Sequence, residues 1–358
     1  MNIREHLYSG NCQIIPETGT AIASFSNAKI FDNKPHEVIL SANTLWNLNL
    51  GKNAGATEKS LKKWELQLST PDYYWDMIKE GNFFYWYSKP LENYYHTILD
   101  GLGHLWHYIW LKKQIPDLKL LVNVKPYGKI NVYPPFVQEL LDLFDIDFEF
   151  TDARIAYQTV YFSDTLNQDK KGKRIIPHNE QYKLIHRLID LACSSVHDVP
   201  TYEKIYVSRR THANPKYTKD LIGEDNTKKR GLTNEDDIVK ILQDEGYIEV
   251  FGENFTLAEK IAMFSKMKKY VSTAGAGVTN CLWVKDHDVS VGGIHTPGFP
   301  FPGPNHNRHI CSNGSSRAII SIYPGKVQFI DPAQGAKSYN SPWYIADTNK
   351  FKEWVKTI

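Results

Sequence analysis

Short apolar runs alternate with amphipathic stretches along most of the chain, and this alternation predicts an α/β fold. The stretch 93–113, NYYHTILDGLGHLWHYIWLKK, repeats apolar residues at helical spacing, at Ile98, Leu102, Leu105 and Ile109. Strand-like runs lie on both sides of this stretch, at 20–25, 36–42, 82–88 and 118–124. A helix that starts with proline and two more strands follow, at 134–144, 147–151 and 157–162. The order predicts a β-α-β arrangement in the first half of the chain.

The alternation restarts after a polar, linker-like segment at 171–181. The next predicted helices and strands are, in order, 181–193, 204–210, 233–246, 247–251, 256–267 and 269–274. Thr256 and Glu259 have the spacing of a capping box. Thr233 predicts the start of the preceding helix, and Gly246 predicts its end. A run of β-α-β-α-β favours a parallel, doubly wound sheet, in which ligands bind beyond the carboxyl ends of the strands.

Length and composition limit the classes of protein to which the chain can belong. Its 358 residues suggest two domains or one large domain, and a hydrophobic content of 42% excludes a disordered chain. A net charge of +2 gives no support for a nucleic-acid-binding surface or for binding to an acidic membrane. The four cysteines include no C-x-x-C pair, so reduced thiols are expected.

Neither a membrane span nor a signal peptide is predicted. No run of 18 or more apolar residues occurs in the sequence. The N-terminal residues MNIREHLYSGNCQIIPETG carry Glu5 and other polar residues where a signal peptide has an apolar core. We therefore expect a soluble, cytoplasmic protein.

The segment YVSTAGAGVTNCLWV, residues 270–284, places two glycines between a predicted buried strand and an apolar run that can form a helix. Because Gly275 and Gly277 lack side chains, a phosphate could approach the backbone N–H groups at the start of that helix. A tight turn that needs glycine for its dihedral angles explains the same residues without a ligand. The glycines alone leave both interpretations open.

Arginines strengthen the case for an anionic ligand. Arg209 and Arg210 end the predicted strand KIYVSRR, so at least one points into the crevice at the strand end, where a guanidinium can bind phosphate oxygens bidentately. Arg230 precedes LTNEDD and is a further candidate cation. The chain contains neither G-x-x-x-x-G-K-[ST] nor G-x-G-x-x-G, which argues against an ATPase and against a dehydrogenase. Cations beside a glycine turn therefore favour an anionic ligand.

A histidine and a carboxylate lie four residues apart in ENYYHTILDG. In a helix, His96 and Asp100 share one face, and the carboxylate can fix the tautomer of the imidazole and raise its basicity. A general base requires this arrangement. The alternative is a histidine packed in an aromatic helix, with Asp100 in solvent. His104 and His107 on the same helix are assigned to packing.

Four segments occur in the order NYYHTILD, KIYVSRR, RGLTNEDDIVKIL and FTLAEKIAMFSKMKKYVSTAGAGVTNCLWV, and together they resemble glycosyltransferase family 61. The family pattern has an N-x-x-H helix with an acidic residue four after the histidine and a strand ending in S-R-R. An arginine before an N-E-D helix and a G-A-G-x-x-N turn complete it. The resemblance runs roughly from Tyr85 to Val284, and the ordered set is more specific than any single motif.

The resemblance implies an α/β fold of the GT-B type, with two Rossmann-like domains facing a cleft. The N-terminal, acceptor-side domain is expected at 1–170, and a linker at 171–180. The nucleotide-sugar-binding domain is expected at 181–340, followed by a C-terminal helix within 341–358. This helix either crosses back to the first domain or serves as an end cap.

The resemblance also implies inverting transfer of a sugar from a nucleotide sugar, with a UDP-linked donor expected, to a hydroxyl of a glycan or protein acceptor. No essential metal and no other cofactor are expected. His96 matches the motif histidine, the base for the acceptor hydroxyl, and Asp100 matches its acidic neighbour. The expected donor-binding residues are Arg209, Arg210, Arg230, Thr273, Gly275, Ala276, Gly277 and Asn280.

Two features depart from the family pattern, and two other functions stay open. Many members have an N-terminal anchor, which is not seen here, and an acidic residue expected after LWVKDHDVSV is missing, so the nucleotide and the sugar are not specified. A non-catalytic carbohydrate- or nucleotide-binding module with the same fold would not need His96. A phosphate-ester hydrolase would need a nucleophile or a two-metal carboxylate set, and neither is found. The His- and Cys-containing loop at 287–313 fits no structural zinc spacing and is interpreted as a pocket rim.

Overall fold

The computed structural model of the chain describes its residues in thirteen segments: 12–33, 36–41, 44–47, 78–86, 93–122, 134–152, 155–166, 178–210, 232–273, 275–294, 318–322, 327–329 and 343–358. Most of the predicted linker, and the part of the predicted rim loop from residue 295 onward, lie outside these segments. Among the described residues, no helix combines the length and the apolar character needed to cross a bilayer.

The first half of the chain forms a mixed eight-stranded sheet. Its strands are β1 (Cys12–Ile14), β2 (Ala21–Asn33), β3 (His36–Ser41), β4 (Thr44–Asn47), β5 (Ile78–Trp86), β6 (Lys119–Val122), β7 (Phe148–Phe150) and β8 (Ala156–Ser163). The strand order is β4-β3-β2-β8-β5-β6-β7, and β1 also pairs with β2.

Only part of this sheet has the predicted Rossmann-like character. β8, β5, β6 and β7 pair in parallel, and two of the connections between them carry helices. β2 pairs with β8 in the antiparallel direction, and β2, β3 and β4 form an antiparallel meander. The antiparallel strands of this sheet were not predicted, because a strand-like run predicts a strand but not its direction.

The histidine-bearing stretch forms one continuous helical segment between β5 and β6. It consists of α1 (Tyr94–His96), a π-helical turn (Thr97–Gly101) and α2 (Leu102–Lys112). The side chain of Asn93 caps the segment by accepting a hydrogen bond from the N–H of Tyr95 at 3.1 Å. Ile98, Leu102 and Leu105 are buried, as their spacing predicts, whereas the π-helical turn has no counterpart in the predicted regular helix.

Two more helices complete the first half and connect it to the second. α3 (Pro135–Leu143) begins with proline in its first turn, where the missing N–H has no intrahelical partner to lose. α4 (Asn179–Ser195) is capped by the side chain of His178, which accepts a hydrogen bond from the N–H of Glu180. α4 packs against α2 on one side and against a helix of the second half on the other.

The second half contains a five-stranded, entirely parallel sheet, which confirms the predicted sheet type. Its strands are β9 (Lys204–Val207), β10 (Ile248–Val250), β11 (Lys269–Thr273), β12 (Val289–Ile294) and β13 (Ala318–Ile322). Their order is β10-β9-β11-β12-β13. The chain moves outward from β9 to β10 and then crosses to the other side of β9 for β11. This reversal makes the gap between β9 and β11 the topological switch point, where open α/β sheets bind ligands.

The helices of the second half connect these strands. They are α5 (Glu235–Asp244), a 3₁₀ turn (Gly252–Asn254), α6 (Leu257–Phe264) and a 3₁₀ helix (Ala276–Trp283). The predicted capping box of Thr256 and Glu259 is present at α6, and Gly246, at a φ of +83°, ends α5. The predicted cap at Thr233 is wrong: Asn234 occupies the cap position, and its side chain hydrogen-bonds the backbone of Ile345 instead.

The C-terminal helix, α7 (Thr348–Thr357), packs on the second sheet, after a small antiparallel pair formed by β14 (Val327–Phe329) and β15 (Trp343–Ile345). Its Phe351, Trp354 and Val355 share an apolar cluster with α5 and with Val271 of β11. A Cβ at Gly292 of β12 would lie 2.5 Å from a side-chain carbon of Ile358, so only glycine permits this close approach. In the described part of the chain, the helix therefore acts as an end cap on the second sheet.

The largest apolar cluster contains side chains from both sheets. It includes Phe84 and Leu120 of the first sheet, Ile205 and Tyr270 of the second, and Leu188 of α4 between them. The two sheets therefore share a continuous core. The division into two domains across a cleft stays a prediction.

Candidate functional site

A pocket opens at the switch point of the second sheet. Val207 and Arg209 at the end of β9, and Thr273 at the end of β11, contribute to its lining. Tyr94 and Phe136 of the first half also line it. Its volume of about 240 Å³ is below the roughly 300–1,000 Å³ of pockets that hold a whole drug-sized ligand. It can therefore hold one part of a larger ligand.

A buried carboxylate fixes the backbone that carries Arg209. Glu235, at the start of α5, is 3% exposed, and its Oε1 accepts three hydrogen bonds. The donors are the Tyr206 hydroxyl at 2.7 Å, the Ser208 hydroxyl at 2.8 Å and the Arg209 N–H at 3.0 Å. The acidic neighbour and burial raise the pKa of Tyr206 well above its ordinary value, so its hydroxyl stays a donor. Glu235 thereby holds the strand end in place and leaves the guanidinium of Arg209 at the pocket.

Both the backbone dihedral angle and the neighbouring side chain require glycine at position 275. Its φ of +155° is one that residues with side chains rarely adopt. An added Cβ would lie 3.1 Å from a guanidinium nitrogen of Arg209. The guanidinium therefore rests against this glycine, and the predicted pairing of the arginine with the glycine turn is present in the structure.

Gly277 differs from Gly275, although both line the pocket. Its φ is not positive, and an added Cβ would meet only the Tyr270 hydroxyl at 3.8 Å and a Val207 methyl at 3.9 Å. The carbonyl of Gly277 accepts a hydrogen bond from the Tyr270 hydroxyl at 2.6 Å, which fixes the turn. The geometry of the turn therefore does not explain why residue 277 is glycine. The access that a missing side chain gives to the pocket can explain it.

Thr273 and Ala276 complete the wall on the strand side. Thr273 is 4% exposed, and its hydroxyl has no hydrogen-bond partner among the described residues, although buried hydroxyls normally have one. Ala276 is the first residue of the 3₁₀ helix and also lines the pocket. The start of this helix places backbone N–H groups at the pocket wall.

Aromatic and amide side chains join the two halves of the site. The Tyr94 hydroxyl donates to Oδ1 of Asn280 at 2.9 Å and accepts from Nε1 of Trp283 at 3.0 Å. Burial raises the pKa of Tyr94 well above its ordinary value, so the hydroxyl keeps its proton. Phe136 of α3 contacts the Tyr94 ring edge-on at 5.5 Å. The helix that bears His96 is thereby attached to the glycine turn.

His96 and Asp100 make the predicted contact. Nδ1 of His96 lies 2.7 Å from Oδ2 of Asp100, and the side chains are 30% and 11% exposed. An ionised carboxylate can only accept, so Nδ1–H donates, and the lone pair of the neutral ring is on Nε2. Asp100 lies in the π-helical turn, an irregularity frequent at functional sites. Neither residue is among the described residues that line the pocket.

The structure does not place the other two predicted arginines at the pocket. Arg210 forms ion pairs with Glu249 and with Asp236, which raise the pKa of its guanidinium further. It is not part of the described pocket lining. Arg230 lies outside the described residues. A role in donor binding stays a prediction for both.

The structure adds pocket residues that the sequence analysis did not identify. They are Tyr94, Phe136, Val207, Ser208, Gly252, Glu253, Lys260 and Ser272. Lys260 is in the first turns of α6, next to the capping-box glutamate, where a lysine is usually a solvated residue of the polar face. Glu253 lies in the 3₁₀ turn after β10 and is exposed. Only the tertiary arrangement brings these residues to one pocket.

Comparisons with known proteins agree with the motifs. No curated protein matches the chain. The family model described as Glycosyltransferase 61 matches residues 94–291, which is more than half of the chain. The matched region begins at Tyr94, includes His96, Arg209 and the glycine turn, and ends within β12. The chain therefore belongs to glycosyltransferase family 61.

Proposed function

We propose that the protein is an inverting glycosyltransferase that moves a sugar from a nucleotide sugar, with UDP as the expected nucleotide, to a hydroxyl of a glycan or protein. Membership of the family supports transferase activity with a sugar donor and an acceptor. The observation that carries the finer proposal is the pocket at the switch point, where Arg209 lies against Gly275. Transfer of a hexose or a pentose stays a prediction. A cytoplasmic location also stays a prediction.

The donor diphosphate is assigned to the strand-end wall. Arg209 supplies a permanent positive charge, and the start of the 3₁₀ helix at Ala276 supplies backbone N–H groups. When the bond between the sugar and the diphosphate breaks, negative charge grows on the leaving phosphate. Groups already oriented toward that charge stabilise the transition state more than the ground state. The pocket wall can therefore assist departure of the leaving group with residues of the chain alone.

The acceptor proton is assigned to His96. In single-displacement transfer the acceptor oxygen attacks the anomeric carbon, its proton goes to the base, and the bonding electrons leave with the diphosphate. Nε2 of His96 carries the lone pair that can take this proton, since Nδ1–H is engaged by Asp100. Asp100 then faces the imidazolium and stabilises its charge.

A non-catalytic nucleotide- or carbohydrate-binding module is the second candidate. It is favoured by one observation: the described pocket lining includes donor-side residues but neither His96 nor Asp100. One experiment distinguishes the two candidate functions, because ligand binding requires only the pocket, whereas sugar transfer also requires the base.

The test is a panel of nucleotide sugars, UDP-linked sugars first, with donor hydrolysis and transfer to glycan acceptors as readouts. We expect His96→Ala to lower the rate by a factor on the order of 10²–10⁴ and to leave nucleoside diphosphate affinity unchanged. His197→Ala removes an exposed histidine and is the matched control. Wild-type protein that binds a nucleoside diphosphate but neither hydrolyses nor transfers any donor would support the binding module. Full activity in His96→Ala would show that the base is another residue.

A further inference from the structure

A lysine lines the pocket and has neither an ion-pair partner nor a hydrogen-bond acceptor among the described residues. Lys260 lies on α6, and its Nζ is 5.6 Å from the centre of the Tyr94 ring. Among the described residues, no carboxylate is within ion-pair distance of this ammonium and no group accepts a hydrogen bond from it. The side chain is half-buried, and burial lowers the pKa of Lys260 despite the acidic residues around it.

Two of the three nearby carboxylates that act on Lys260 have other partners. Glu139 of α3 accepts a hydrogen bond from the N–H of Leu257 and thus caps α6. Glu259 accepts from the N–H and the hydroxyl of Thr256 in the capping box. The third, Glu253, is exposed at the pocket. These carboxylates give the ammonium a favourable environment without forming an ion pair with it.

A partly desolvated ammonium that has no hydrogen-bond acceptor among the described residues lowers the stability of the unliganded protein, and the contact with the Tyr94 ring offsets only part of this cost. An uncharged side chain of similar length, such as methionine, would fill the same space beside the Tyr94 ring without that cost. A lysine at this position is therefore better explained by what enters the pocket than by the packing of α6.

We propose that Lys260 is the second cation of an anion clamp, in which its ammonium and the Arg209 guanidinium together bind the donor diphosphate in the pocket. The inference rests on the proposed function. Two cations in a pocket of about 240 Å³ match a diphosphate, which carries several negative oxygens in a small volume. An acidic group on the acceptor has similar chemistry and is the alternative ligand of Lys260. Binding measurements without acceptor separate the two, because only the donor diphosphate is then present.

The experiment measures affinity for UDP, GDP and ADP, and for each corresponding nucleoside, without acceptor. We expect Lys260→Met to weaken binding of the preferred diphosphate at least tenfold and to change nucleoside binding less than twofold. Lys260→Arg should retain most of the affinity because it keeps the charge. The melting temperature of unliganded Lys260→Met should equal or exceed that of the wild type, which a merely structural lysine would not allow.

Lys266→Met is the matched control, because it removes an exposed lysine six residues away. Equal diphosphate affinity in wild type and Lys260→Met, while Arg209→Ala binds more weakly, would overturn the clamp and leave the proposed function in place. Equal losses for nucleoside and diphosphate, with a lower melting temperature, would also overturn it. Wild-type protein that binds none of the three diphosphates would instead contradict the proposed function itself.

Discussion

The Tyr94 hydroxyl donates a hydrogen bond to Oδ1 of Asn280 at 2.9 Å, and so joins the helical segment that bears His96 to the glycine turn. Tyr94 precedes His96 by two residues, and Asn280 follows Gly277 by three. A ligand that shifts the turn therefore acts on the proposed base through one direct contact.

Replacing Tyr94 with phenylalanine tests this connection. The substitution removes the hydrogen bonds of the Tyr94 hydroxyl with Asn280 and Trp283, so we expect Tyr94→Phe to lower the free energy of unfolding by about 1–2 kcal/mol. We also expect the transfer rate to fall more than nucleotide affinity does. Tyr108→Phe is the comparison, since that hydroxyl has a 3.5 Å contact at the limit of hydrogen bonding. Equal effects of the two substitutions on stability and rate would contradict a special role for Tyr94.

The two glycines of the turn should respond differently to alanine. Gly275→Ala forces a side chain onto a φ of +155° and against Arg209, so both the melting temperature and donor affinity should fall. Gly277→Ala should melt normally and bind the donor nucleotide at least tenfold more weakly, about 1.4 kcal/mol. Gly246→Ala, at a φ of +83°, should affect stability alone. Normal donor affinity in Gly277→Ala would mean that no ligand approaches the turn there.

Arg209 and Arg210 are neighbours with different expected roles. Arg209→Ala should weaken nucleoside diphosphate binding by about 1.5–3 kcal/mol and nucleoside binding little, because a charge-assisted contact to phosphate is lost. Arg210→Ala should mainly lower stability, because it leaves Glu249, whose side chain is 9% exposed, without its ion-pair partner. Calorimetric titration with uridine and UDP, together with thermal melting, checks both variants. Equal losses for both ligands in Arg209→Ala would exclude a role at the phosphate.

Activity is expected to survive chelation. Arg209 and the backbone N–H groups at Ala276 already face the position assigned to the leaving diphosphate, and Lys260 adds a second charge. Because protein groups stabilise the developing charge in this proposal, transfer rates should stay within about twofold after dialysis against EDTA. Complete loss of transfer that manganese restores would overturn this expectation.

Two buried histidines should make the fold sensitive to acid. Burial lowers the pKa of His104 to about 4 and that of His107 to about 3, below the roughly 6.5 of an unfolded histidine. The unfolded chain therefore binds protons first, and stability present above about pH 6.5 is lost as the pH falls toward 4. Each histidine should contribute about 2 kcal/mol of destabilisation at pH 5.

His107→Gln isolates one of these contributions. His107 is held by the Thr20 hydroxyl at 2.7 Å and the Gly103 carbonyl at 2.8 Å, and glutamine can offer both a donor and an acceptor. Between pH 7 and pH 5, its free energy of unfolding should drop by about 2 kcal/mol less than that of the wild type. Denaturant titrations at the two pH values measure this difference. An unchanged drop would show that His107 does not titrate on unfolding in this range.

The first three strands of the second sheet, β9 to β11, could be predicted from the sequence because local signals agree there with the tertiary structure, whereas β12 and β13 were not predicted. Strand-like runs alternate with helices that carry their own start and stop residues, such as Thr256 and Gly246, and the β-α-β order allows essentially one strand direction. The first sheet was harder to predict, because hairpin-like runs such as 20–25 and 36–42 determine neither direction nor neighbours. Thr233 failed as a cap because Asn234 has a tertiary partner in Ile345.

The candidate site could be predicted only for residues in local motifs. Arg209, Gly275 and the pair of His96 with Asp100 belong to segments whose spacing already suggests chemistry. Lys260 reaches the pocket because α6 packs between the two sheets, and no local pattern distinguishes it from a solvated lysine. Glu235 was visible only as part of an acidic helix start, and its three hydrogen bonds depend on the neighbouring strand.

Because of the π-helical turn at Thr97–Gly101, the geometry of the candidate site depends on the length of this segment. Removing a single residue would change that geometry. A wide turn holds about one residue more than an α-helical turn, so the residues before and after it lie in different helical registers. A chain one residue shorter here could form a regular α-helix, with better aligned backbone hydrogen bonds. Its first turn, however, would be rotated by about 100° relative to α2, which would carry Tyr94 away from Asn280 and turn His96 toward a different face. The wide turn therefore sacrifices helix regularity and sets the positions of Tyr94 and His96.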